Sequence, residues 1–193
     1  MQDYGASFSS LQTEIGTKCS RLYENDKKPE THPDYNHIIA MSHFMLVPST
    51  RCPAECSYCF GPHDSGTPMP DEVLNQAVDW ICGHVSDEPL ALTFHGGEPL
   101  TAGIGFFRRV LPALYQACAG AALRISLQSN LWLLTAEYLD LFEQYQVHLG
   151  TSLDGPEEIN DAQRGKGYFA RTMAKLTAVR QRGLSSGCIA TLT

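Results

Sequence analysis

The chain has 193 residues, of which 43% are hydrophobic and 18% are charged, a composition typical of one globular domain. The formal net charge of -7 disfavours nucleic acid as a partner, and no apolar run is long enough to span a membrane. Because the N-terminal residues also lack the basic and apolar regions of a secretion signal, we expect a cytoplasmic protein.

Residues 1–40 show no sustained hydrophobic periodicity and are predicted to form an N-terminal extension or linker. From residue 41, short β-type runs alternate with stretches whose apolar residues have helical spacing. The five predicted strands are residues 43–47, 90–94, 123–127, 147–152 and 187–192. The four predicted helices have apolar faces over residues 73–81, 106–114, 138–145 and 169–179.

This alternation predicts an α/β fold with a parallel sheet of about five strands, either open or curled into a barrel. Pro112 lies inside the second helical stretch and is expected to kink or split that helix. The chain stops on or just after the fifth predicted strand, which would leave a sheet edge bare. We therefore expect residues 41–193 to be a domain that is incomplete at its C-terminus.

Seven cysteines fall into two groups. Four stand alone along the chain, and the last three of these lie in apolar patterns that predict core positions: Cys19, Cys82, Cys118 and Cys188. The other three form a CX3CX2C triad at the end of the first predicted strand: Cys52, Cys56 and Cys59. Clustered cysteines in a reducing compartment indicate metal ligands or reactive thiols.

A [4Fe-4S] cluster is usually held by four cysteine ligands. Three cysteines in one tight loop would therefore leave one iron without a protein ligand and open to an exogenous one. The alternative is a structural zinc site, which needs a fourth ligand such as His63.

A second motif, FHGGEP, directly follows the second predicted strand. Gly96 and Gly97 lack side chains and can let the backbone approach a ligand closely, while Glu98 can accept a hydrogen bond from an ammonium group. His95 either contacts cofactor or substrate, or is a strand-end residue bonded to backbone.

The run RCPAECSYCF, residues 51–60, resembles the cluster-binding loop of radical S-adenosylmethionine (SAM) enzymes, CX3CXΦC, with Tyr58 as the aromatic residue. FHGGEP is similar to the glycine-rich motif of the same superfamily. LQSN (127–130) and TSLDGP (151–156) are similar to segments of its SPASM-type peptide-modifying branch, which includes sulfatase-maturing enzymes and ribosomal-peptide maturases. Where sulfatase-maturing relatives often have HD, this chain has Asn160-Asp161, and no SPASM region follows within it.

This resemblance implies a partial (βα) barrel that holds a [4Fe-4S] cluster through Cys52, Cys56 and Cys59, with SAM on the open iron. It also implies that Ser152 holds the ribose or methionine part of SAM and that Arg164 holds its carboxylate. The full set of implied SAM-binding residues is Tyr58, Gly96, Gly97, Glu98, Ser129, Asn130, Ser152 and Arg164.

The implied activity is formation of a 5'-deoxyadenosyl radical that abstracts hydrogen from a peptide or protein, with flavodoxin or ferredoxin as electron donor. Two alternatives stay open. One is a radical SAM enzyme of cofactor biosynthesis or glycyl-radical activation, and the other is a non-enzymatic binding module stabilised by zinc or an iron-sulfur cluster.

Overall fold

The computed structural model describes residues 42–85 and 88–192, so the predicted N-terminal extension and Cys19 lie outside the described residues. Five strands form one sheet in which neighbouring strands are parallel and follow chain order. The strands are β1 (Ser42–Ser49), β2 (Leu90–Gly96), β3 (Leu123–Gln128), β4 (His148–Ser152) and β5 (Ser186–Ile189).

Within the described residues, five α-helices connect or follow these strands. They are α1 (Asp71–Cys82), α2 (Ile104–Ala117), α3 (Ala136–Gln144), α4 (Glu157–Arg164) and α5 (Tyr168–Gln181), with short 3-10 helices at His63–Ser65 and Pro99–Ala102. Because the parallel strands lie in chain order, every crossover connection runs in the same direction around the sheet, as in the wall of a barrel. The α/β prediction is therefore confirmed. Among the described helices, none combines the length and apolarity that crossing a membrane requires.

The hydrophobic core lies between one face of the sheet and the helices. Phe107 on α2 is fully buried and meets Phe94 on β2 and Phe142 on α3 edge-on, with ring centroids 5.3 and 5.4 Å apart. Burying each such ring stabilises the fold by about 1.5–3 kcal/mol. Thr93 and His95 alternate with the buried residues of β2, so the opposite face of the sheet carries polar, half-buried side chains.

Residues with known helix-end preferences mark the start of α1 and the end of α5. Pro70 precedes the first residue of α1, and Gly183, with φ of 70°, ends α5 by donating its N–H to Arg180 O (2.9 Å). Thr135 occupies the N-cap position of α3, but its hydroxyl makes no capping hydrogen bond there.

Pro112 does not split α2, which continues for 14 residues as one element. Val110, Leu111 and Leu114 are buried on both sides of the proline, and their packing offsets the roughly 3 kcal/mol that an internal proline costs. The core prediction holds for Cys82 and Cys118 but is wrong for Cys188, which is exposed on β5 because no described helix covers that side of the strand.

Candidate cofactor-binding site

The predicted site residues follow the carboxyl ends of β1 to β4. Because parallel strands end at the same edge of a sheet, the cysteine loop after β1, Gly96 and Gly97 at the end of β2, Ser129 and Asn130 after β3, and Ser152 at the end of β4 lie along one rim. Asp154, which was not among the predicted site residues, follows β4 at the same rim.

The cysteine loop is closed by backbone hydrogen bonds. The Cys52 N–H donates to His63 O (2.9 Å), and the Cys59 N–H donates to Cys56 O (3.0 Å). Cys52 and Cys56 are half-buried and Cys59 is exposed, while Gly61 N–H donates to Cys59 Sγ (3.4 Å). His63 Nδ1 lies 2.9 Å from Ala54 O, so this ring is engaged with the loop backbone.

The two glycines of GGEP are required by close packing of the motif against the backbone ahead of Cys52. A Cβ on Gly96, where φ is 125°, would lie 2.7 Å from Ser49 O, and one on Gly97 would lie 2.5 Å from Arg51 O. The Gly97 N–H donates to Ser49 O (3.1 Å), and the Glu98 N–H donates to Arg51 O (2.6 Å). The motif therefore positions the cysteine loop directly.

Glu98 is a buried connector, with 1% of its surface exposed. Its Oε1 accepts from Leu100 N–H (3.0 Å) and Ser129 Oγ (2.8 Å), and its Oε2 accepts from Asn130 N–H (2.8 Å). Burial raises its pKa to about 7, although these three hydrogen bonds oppose the rise. The carboxylate thus ties the end of β2 to the end of β3.

Asn130 links this connector to the first cysteine. It is 7% exposed, and its Nδ2 donates to Cys52 Sγ at 3.8 Å.

Tyr58, Asp154 and Arg164 form a second connector on the other side of the cysteine loop. Arg164 Nε and Nη2 donate to Asp154 Oδ2 and Oδ1 at 2.6 and 2.7 Å, and the Tyr58 hydroxyl donates to Oδ2 at 2.8 Å. The guanidinium also lies against the ring of Tyr58, 5.4 Å from its centroid. Burial alone would raise the pKa of Asp154, but the hydrogen bonds from Arg164, Thr191 N–H and Tyr58 outweigh it and lower the pKa.

Ser152 and His95, which were also considered in the sequence analysis, lie on the polar face of the sheet, opposite the hydrophobic core. Ser152 Oγ accepts from Gln128 Nε2 at 2.9 Å, and both follow the alternation of the half-buried side chains of β3 and β4. His95 Nδ1 accepts from the Gly96 N–H (2.7 Å), which assigns the proton of the neutral ring to Nε2.

The sequence model of the Radical SAM superfamily matches residues 46–193, which include the cysteine loop, GGEP and every strand from β2 to β5. The chain belongs to this superfamily.

Two curated relatives illustrate the range of similarity. An uncharacterised protein of Methanothermobacter thermautotrophicus is 43% identical over 151 residues, covering 78% of this chain and 57% of that protein. A serine-type anaerobic sulfatase-maturating enzyme of Bacteroides thetaiotaomicron is 25% identical over 150 residues, covering 72% of this chain and 36% of the enzyme. This radical SAM chain thus spans roughly one third to three fifths of the length of these relatives.

Two solved structures share the fold. Native anSMEcpe with bound AdoMet superposes with a TM-score of 0.69 at 23% identity, covering 78% of this chain and 44% of that one. Streptococcus suis SuiB, bound to its precursor peptide SuiA, gives a TM-score of 0.57 at 18% identity, covering 97% and 46%. The predicted partial barrel of the radical SAM type is confirmed.

The donor set fits the iron-sulfur cluster that radical SAM proteins imply. Burial raises the pKa of the Cys52 thiol to about 11 and also raises that of Cys56, where the Arg164 charge opposes the rise. N–H donors lie within hydrogen-bonding distance of the sulfurs of Cys52 and Cys59, a contact that supports the sulfur ligands of a cluster.

A single-ion site makes a different demand from a cluster, because cluster thiolates bind separate irons. In residues 42–85 and 88–192, no group of three or more His, Cys, Asp or Glu side chains is arranged to hold one metal ion.

Sequence reasoning missed the role of Asp154, which lies in TSLDGP and is of a residue type common in turns. It also missed the Asn160-Asp161 pair. Asn160 Oδ1 accepts from Asp154 N–H (3.0 Å), and Asp161 accepts from Gly167 N–H (2.5 Å) and Phe169 N–H (2.8 Å) at the start of α5. These two residues therefore organise the turns on either side of α4.

Proposed function

We propose that this chain is the cofactor-binding part of a radical SAM enzyme that abstracts a hydrogen atom from a peptide or protein substrate. The observation that carries the proposal is the double tie on the cysteine loop. Asn130 holds it on the β3 side and Asp154 on the β4 side, so that three thiols stand at the rim where the strands of the barrel end.

Cys52, Cys56 and Cys59 would hold a [4Fe-4S] cluster and leave its fourth iron for SAM. When bound, the cluster and SAM supply an electron and a 5'-deoxyadenosyl radical that takes a hydrogen atom from the substrate. A flavodoxin or ferredoxin in the cytoplasm is the proposed electron donor.

The rim residues would position SAM by two routes. Gly96 and Gly97 would offer backbone groups beside the residues ahead of Cys52, and Ser152 would offer its hydroxyl at the end of β4. Glu98 would act through Ser129 and Asn130, because it is 1% exposed and its two carboxylate oxygens already accept three hydrogen bonds from the protein.

Arg164 has one guanidinium nitrogen that Asp154 does not use. Nη1 lies 3.4 Å from the Tyr168 hydroxyl and is the nitrogen we assign to the SAM carboxylate. The same charge lies near enough to Cys56 to oppose the rise of that thiol's pKa.

Two similarities support a peptide or protein substrate. Sulfatase-maturating enzymes are among the relatives of the chain, and the SuiB structure that shares its fold contains a precursor peptide.

The test is an anaerobic assay of the dithionite-reduced protein with SAM and a synthetic peptide that carries a fully deuterated serine or cysteine. We expect 5'-deoxyadenosine that contains deuterium, measured by mass spectrometry. Unlabelled 5'-deoxyadenosine, formed at the same rate with and without peptide, would contradict this substrate and favour a small-molecule one. Cys56→Ala should abolish 5'-deoxyadenosine formation, while Cys188→Ala, on the exposed side of β5, should not change it.

A further inference from the structure

The side-chain amide of Asn130 has an assigned orientation. Its Oδ1 accepts a hydrogen bond from the Trp132 N–H at 2.9 Å, and only the oxygen of an amide can accept. The nitrogen therefore faces the other way, towards Cys52, where Nδ2 lies 3.8 Å from Sγ. A flipped amide would set N–H against N–H at Trp132 and place a carbonyl oxygen next to the cysteine sulfur.

The backbone of Asn130 is fixed as well. Its N–H donates to Glu98 Oε2 (2.8 Å), and its carbonyl accepts from Thr172 Oγ1 (3.3 Å). The Trp132 indole N–H donates to the same threonine hydroxyl (3.1 Å). With its side chain and both backbone groups bonded, Asn130 is held in place before any cofactor binds.

We propose that Asn130 is a hydrogen-bond donor to the Cys52 thiolate of the bound cluster and that this bond raises the reduction potential of the cluster. A donor to a cysteine sulfur stabilises negative charge on the ligand. One-electron reduction adds negative charge, so the reduced form gains more from the donor than the oxidised form. This inference rests on the proposed function, because it requires that the triad hold a cluster.

Among the described asparagines, Asn130 is the one whose side chain donates to a cysteine sulfur. Glu98 is then a positioning residue at one remove, since its carboxylate holds the Asn130 backbone. This positioning role explains why the Glu98 carboxylate is buried, although the GGEP motif lies next to the expected cofactor site.

Two variants separate the donor from its structural surroundings. Asn130→Asp keeps an oxygen for the Trp132 N–H and nearly the same volume, but replaces the donor with a second oxygen. Asn130→Leu removes the donor without adding charge. Asn75 is exposed on α1, so Asn75→Asp and Asn75→Leu make the same chemical changes away from the cluster loop.

The measurement is a redox titration of the reconstituted protein, followed by electron paramagnetic resonance, for the wild type and all four variants. We expect a lower midpoint potential in both Asn130 variants, with the larger drop in Asn130→Asp because it adds a like charge. The Asn75 variants should match the wild type. A merely structural role would reduce the amount of cluster but leave the potential of the remaining clusters unchanged, and that result would overturn the inference.

A second measurement needs no variant. In wild-type protein labelled with ¹⁵N only at asparagine side chains, pulsed electron paramagnetic resonance of the reduced cluster should detect a ¹⁵N hyperfine coupling through the N–H···S bond. Absence of that coupling in a protein that does contain the cluster would overturn the inference. A wild-type protein that takes up no iron would instead overturn the proposed function, so the two failures are distinguishable.

Discussion

Replacing Asp154 with asparagine should destabilise the protein more than any surface charge change. Asp154 has a fully buried side chain and pairs with Arg164, whose side chain is 8% exposed. Asp154→Asn keeps the shape but leaves the guanidinium charge buried without its counter-ion. Removing one partner of a buried pair costs about 3–5 kcal/mol, and here the Tyr58 hydroxyl also loses its charged acceptor.

The free energy of unfolding can be measured by urea denaturation. With an m-value of about 2 kcal/mol per M, the expected loss lowers the midpoint by roughly 1.5–2.5 M. Asp140→Asn is the matched control, because its partner Arg182 is 39% exposed and such surface pairs contribute about 0–1 kcal/mol. The double change Asp154→Leu with Arg164→Met should cost less than Asp154→Asn, since it leaves no unpaired charge.

The pH dependence has a definite sign. The folded pKa of Asp154 is lowered below its unfolded value, so its contribution is present above pH of about 4 and is lost as pH falls through the folded pKa. If Asp154→Asn and Asp140→Asn had the same small effect, the ion pair would not be the tie that holds the cysteine loop.

Three further changes test other parts of the site. Gly97→Ala places a methyl group 2.5 Å from the Arg51 carbonyl oxygen, so the free energy of unfolding should fall by about 1–3 kcal/mol and iron uptake should decrease. The control is Gly105→Ala, at an exposed position of α2, which should instead raise stability by about 0.5–1 kcal/mol. Because the folded pKa of Glu98 is raised to about 7, the free energy of unfolding of the wild type should fall as pH rises from about 4.5 to 7 and then level off. Glu98→Gln should remove this pH dependence, whereas Glu137→Gln, at an exposed position, should keep it. Asp161→Ala frees two backbone N–H groups at the start of α5 and should lower the midpoint of urea unfolding at neutral pH. Because these N–H groups lower the pKa of the Asp161 carboxyl, the difference from the wild type should shrink as the pH falls through that folded pKa.

The strands could be predicted because buried parallel strands have apolar runs bounded by turn residues. The first four observed strands agree with the predicted bounds to within two residues. Helix α4 could not be predicted from periodicity. Its buried residues are Asn160 and Arg164, while Ile159 is 52% exposed, so the helix has no apolar stripe.

The ligand triad could be read from its spacing, but its supports could not. Tyr58 and Asp154 lie 96 residues apart, and Glu98 and Asn130 lie 32 apart, so neither contact has a local sequence signal. The glycines were noticed for their small size. Only the register of β1 against β2 shows that glycine is needed there because the motif packs against the cysteine loop.

The central claim is that the three thiols hold a redox cluster that works with SAM. Anaerobic reconstitution with iron and sulfide, followed by metal analysis and a SAM-cleavage assay, tests it most directly. We predict about four irons per chain, a brown chromophore and SAM cleavage on reduction, all lost in Cys56→Ala and retained in Cys118→Ala. Stoichiometric zinc with no iron uptake and no SAM cleavage would contradict the account.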